Sequence, residues 1–95
     1  MISREDVVSA IGYDGNAALV DRSAKRRYGK LTTEELVKAG FFRAAAASAI
    51  YSESQDELLL VANAYNKVSG STYPVEAIPR LFGVAKVTVA RTLSL

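Results

Sequence analysis

Two short stretches constrain this chain more than any other feature: Thr32-Thr33-Glu34-Glu35 and Ser54-Gln55-Asp56-Glu57. Each places a hydroxyl at a helix cap and a carboxylate three residues later. That spelling lets the side chain and backbone at a helix start satisfy one another's hydrogen bonds. Each is followed by apolar residues at helical spacing. Leu36, Val37, Gly40, Phe41, Ala44 and Ala47 follow the first; Leu58, Val61, Ala62, Tyr65 and Val68 follow the second. The spacing predicts helices over 33–50 and 55–68. Within the first, Gly40, Ala44 and Ser48 form a row of small residues suited to close helix packing. Leu59 and Leu60 widen the apolar face of the second, so that helix is expected to be central, or covered by a neighbouring subunit.

Weaker punctuation marks two more helices. Ser3 precedes Glu5 and Asp6, acids that suit a first turn, and Gly12 suits the end, which predicts a helix over 4–11. Tyr13-Asp14-Gly15 reads as a turn. Asn16 as cap and Gly29 as stop bracket a helix over 17–28. After Gly70, Pro74 and Pro79 lie five residues apart; Pro79 opposes a continuous helix and pushes Ile78 towards extended geometry. Residues 71–83 are expected to be irregular, with one or two single turns. The fold class expected is all-α: a small four-helix domain over 1–70, then an irregular Pro-containing segment and an extended, strand-like tail over 71–95.

Composition excludes most chemistry. The 95 residues hold no cysteine and no histidine, which removes disulfides, thiolate metal sites and the commonest general base. The acidic pairs are explained by capping, and the glycines are not followed by Gly-Lys-Ser/Thr. No catalytic residue, metal site or cofactor is assigned, and the protein is not expected to be an enzyme. The start, MISREDVV, is charged where a signal peptide is apolar, and no run approaches the ~20 residues of a membrane span. The expected setting is neither secreted nor membrane-embedded.

Net charge is only +2, but residues 21–30 set Arg22, Lys25, Arg26, Arg27 and Lys30 against Asp21 alone. Helical spacing places Arg22, Lys25 and Arg26 on one face and Arg27 to the side. Such a face suits an acidic protein partner or the phosphates of nucleic acid.

The end of the chain, GVAKVTVARTLSL, has two spellings. From Val84 onward Ala85, Val87, Val89, Arg91, Leu93 and Leu95 alternate with Lys86, Thr88, Ala90, Thr92 and Ser94. Period two with Val and Thr favours a strand. No other strand is evident in the sequence, so this one is expected to find its mate on another subunit. Val84, Lys86, Val87, Val89, Arg91, Leu93 and Leu95 are the expected subunit or partner contacts. The other spelling resembles the turn and recognition helix of helix-turn-helix repressors, through Gly83, Val84, Thr88, Val89 and Arg91. That resemblance implies a small DNA-binding regulator with Thr88 and Arg91 towards DNA.

The layout as a whole resembles small all-helical head–tail connector (adaptor) proteins of tailed bacteriophages. The segments that carry this are MISREDVVSAIGYDGNAALVDRSAKRRYGK, DELLLVANAYNK and YPVEAIPRLFGV. The resemblance implies a homo-oligomeric ring subunit that joins a portal to a tail protein, located in the virion or the cytoplasm of a bacterial host.

Overall fold

A computed structural model of the chain describes residues 3–14, 17–84 and 91–94. In order they form α1 (Arg4–Ser9), β1 (Ala10–Asp14), β2 (Ala17–Val20), α2 (Arg22–Tyr28), α3 (Thr33–Lys38), α4 (Phe42–Tyr51), α5 (Gln55–Ser69), a 3-10 turn (Val75–Ala77), α6 (Ile78–Leu81) and β3 (Arg91–Ser94). Helix dominates, as the caps predict, but a three-stranded sheet of order β1-β2-β3 stands beside it. None of the helices is long and apolar enough to cross a membrane, among the described residues.

The sheet corrects the expected helices 4–11 and 17–28. Helix α1 stops at Ser9, and Ala10 turns extended (φ −70°, ψ 133°) into β1. Strand β1 pairs antiparallel with β2, with Asp14 opposite Ala17 and an irregularity between Ala10 and Gly12. Ala17, Ala18 and Val20 are at most 1% exposed, so β2 is buried on both sides. A strand buried on both faces is a short unbroken apolar run, and periodicity cannot separate it from a piece of helix. The cap of α2 is accordingly Asp21, not Asn16: its carboxylate accepts from Ser23 N at 2.9 Å and Ala24 N at 3.3 Å.

The expected helix 33–50 is two helices. The capping box of Thr32 and Glu35 forms as spelled, and backbone and hydroxyl of Thr32 hold the Glu35 carboxyl below its ordinary pKa. The break comes at Gly40, which adopts φ +84°. Phe41 N donates to Leu36 O at 2.9 Å and Gly40 N to Val37 O at 3.0 Å, the paired bonds of a left-handed helix stop. Gly40 thus leaves the small-residue row, while Ala44 and Ser48 remain buried on α4. An alanine at Gly40 meets no neighbour within 4 Å, so only its backbone conformation resists it. Gly40→Ala is expected to cost about 1–2 kcal/mol in urea unfolding. A neutral result would show that the stop does not need a glycine.

The centre of the fold is α4, not α5. Ala44 to Ala49 are all buried, and α4 touches α1, α3, α5 and α6. Alanines keep the helix thin enough for neighbours to close on every side. Helix α5 (55–69, against 55–68 expected) buries only Leu58, Val61 and Ala62. Its Leu59 and Leu60 remain 46% and 38% exposed, contrary to the expected girth of buried surface within the chain.

Residues 71–83 hold single turns, as expected, but Ile78 is helical (φ −61°, ψ −47°) rather than extended. Pro79 lies in the first turn of α6, where no N–H is required. The Ile78 side chain is 0% exposed in the same core as Leu36 and Val61. Its burial, roughly 2–3 kcal/mol, outweighs the bias against helix before proline. Tyr65 meets Phe42 edge-on at 5.4 Å and Phe82, at the end of α6, at 5.0 Å.

The tail is a strand over 91–94, as the alternation predicts, and its mate lies inside the chain. Strand β3 runs parallel to β2 with Ala17 opposite Arg91 and Val20 opposite Ser94. The expectation of an unpaired strand is therefore corrected. Residues 17–20, expected as part of a helix, supply that mate as β2.

Candidate anionic-partner surface

Helix α2 carries the basic run. Lys25, Arg26 and Arg27 occupy its last turn, where positive charge offsets the dipole of the exposed carbonyls. Arg22, Arg26 and Arg27 are exposed, and Lys30 is exposed in the turn that follows. Lys25 departs from the expected face. Its Nζ donates to Asp6 Oδ1 of α1 at 2.7 Å. The bond and the charge of Asp6 raise the Lys25 pKa. Partial burial works to raise the Asp6 carboxyl, but the bonds from Lys25 and Ser3 outweigh it and hold Asp6 below the ordinary range. Lys25 is thus a strut, and Arg26, Arg27 and Lys30 remain exposed.

A second strut comes from Arg4, whose partners lie too far along the chain for the sequence to signal. Arg4 donates from Nη1 to Gly29 O at 3.2 Å and from Nη2 to Leu31 O. These are carbonyls at and just beyond the end of α2. The same guanidinium reaches Ser48 Oγ at 2.8 Å. Ser48 Oγ lies 2.8 Å from Thr33 Oγ1, and Thr33 donates to Glu57. Ser52 Oγ closes the chain on Glu57 Oε2 at 3.3 Å. Thr33 and Ser48 are 4% and 1% exposed, so this network satisfies hydroxyls that burial alone would penalise. It ties α1, α3, α4 and α5 together and fixes the turn on which Lys30 sits. The only sequence sign of it was polar residues at positions where a helix turns inward.

Tyr28, which ends the basic helix, packs rather than projects: its ring stacks on Phe41 at 4.7 Å. A cleft of about 570 Å³ opens beside Lys30, lined also by Arg4, Thr33, Glu34, Ser52 and Glu57. Its polar groups are largely engaged with one another, and no group of three or more acidic residues could hold a metal ion among the described residues.

The expected tail contacts fare unevenly. Val84 is half-buried on the core, and its N–H donates to Pro79 O at 2.8 Å. Arg91 and Leu93 lie on β3, opposite Ala17 and Leu19. Lys86, Val87, Val89 and Leu95 lie outside the described residues. Arg91 on a strand departs from the repressor-like mapping, which requires a helix there; Thr88 lies outside the described residues.

Comparison with known proteins gave no match to any family model, curated protein or solved structure.

Proposed function

We propose that the protein is a non-enzymatic assembly subunit that presents the basic face of α2 to a negatively charged partner. The observation that carries this is the double strut on α2. Asp6–Lys25 and Arg4–Gly29/Leu31 tie a short helix to α1 at two points while Arg26, Arg27 and Lys30 remain exposed. A cationic face fixed in advance loses little freedom on binding. The setting that fits the layout is a bacteriophage head–tail connector, with a portal or tail protein as the heterologous partner. The small DNA-binding regulator is the weaker reading, because Arg91 lies on β3.

The triple substitution Arg26→Gln, Arg27→Gln, Lys30→Gln should fold normally, since these side chains are exposed. Binding to poly-glutamate and to duplex DNA of arbitrary sequence, measured at several salt concentrations, separates the partner classes. The substituted protein is expected to bind the preferred polyanion at least roughly tenfold more weakly and with a flatter salt dependence. Equal binding by both proteins would reduce the run to a solvated face.

A further inference from the structure

Helix α5 carries an exposed stripe that is complementary to itself. Asp56, Leu60, Asn63 and Lys67 are all exposed. Their offsets of four, seven and eleven residues put them on one line, about 60° wide, opposite the buried Leu58, Val61 and Ala62. Leu59 flanks the line, 46% exposed. Val68, also exposed, lies about 110° round the helix from the centre of the line and takes no part. The acid and the base lie at opposite ends, about 16 Å apart. Neither Asp56 nor Lys67 makes an ion pair within the chain, among the described residues.

We propose that a second copy of this chain docks antiparallel along this stripe, with Asp56 of each copy against Lys67 of the other and the two Leu60 side chains between them. A two-fold axis level with the midpoint of Val61 and Ala62 brings Asp56 opposite Lys67 twice, once at each end. It sets each Leu60 beside Leu60 and Asn63 of the second copy. One stripe thus supplies both halves of the contact, as a closed two-fold interface requires. A parallel arrangement sets Asp56 against Asp56 and Lys67 against Lys67, so charge selects the antiparallel one. The inference deepens the assembly reading and rests on it only for the expectation of self-association; the cations of α2 take no part.

The test uses the full chain and sedimentation equilibrium over a range of concentrations, with circular dichroism to confirm folding. The unaltered protein is expected to dimerise. Asp56→Lys alone and Lys67→Asp alone each place like charges at both ends, and each is expected to weaken association roughly tenfold or more. An equimolar mixture of the two variants restores both opposite-charge pairs, and is expected to form a mixed dimer. Leu60→Gln is expected to weaken association at least roughly tenfold while leaving the fold intact. A monomeric unaltered protein, or a mixture that associates no better than the variants alone, overturns the proposal. Polyanion binding measured on Leu60→Gln, which adds no charge to the cleft that Leu60 shares with Lys30, keeps the outcomes separate: if it is retained, the loss belongs to the α5 interface and not to the basic face.

Discussion

Ile78→Ala is expected to lower the free energy of unfolding by about 3–4 kcal/mol, the range for truncating a fully buried aliphatic side chain. Ile78 is 0% exposed and shares a core with Leu36, Val61 and Ala45. The loss has two parts, the methyl groups returned to water and the cavity left among neighbours that cannot close. That cavity is hard to fill. The adjacent α4 is lined with alanines, which have no longer side chains to swing into the gap. A domain of this size has about 5–10 kcal/mol in total, so the variant should unfold at much lower urea with a similar slope. A change below about 1 kcal/mol would mean that the segment after Gly70 contributes little to the core.

Removing residues 91–95 is expected to cost about 2–4 kcal/mol and to promote aggregation. Four register pairs join β3 to β2, and their loss converts a central strand into an edge. A tail expected to pair outside the chain implies the opposite, that deleting 84–95 leaves the helical domain folded. Hydrogen exchange decides between them. Amides of β2 should exchange slowly in the intact chain, and those on its β3-facing edge should lose protection after truncation. Unchanged protection would return the tail to a role outside the fold.

How much of this was legible depended on the range of the physics involved. The helix starts at Ser3, Thr32 and Ser54 are legible because a cap is a bond between residues three apart, but at Ser54 only half of the expected box forms, since the Glu57 carboxylate accepts from Thr33 and Ser52 instead. The stop of α5 was read because Gly70 (φ +69°) alone accounts for it. Of the candidate site, the exposed Arg26, Arg27 and Lys30 followed from local charge. The diversion of Lys25 to Asp6 and the reach of Arg4 to Gly29 did not, since both join residues nearly twenty or more positions apart.

Sequence by itself determined a mostly helical chain, the clustered cations on one short helix, and an extended segment at its end. Tertiary structure decided everything that turned on which surface met which. Ala17–Val20 carries no periodicity of its own; it became a strand because β1 and β3 lie on either side of it. The alanines of α4 say only that the helix is narrow, and it became the centre because α1, α3 and α5 close upon it. Ile78 took a helical conformation against its local bias because the core had room for its side chain. In each case a preference of about 1 kcal/mol, set within a few residues, yielded to burial worth two or three times as much. Burial is settled by the whole chain and cannot be read from any one stretch of it.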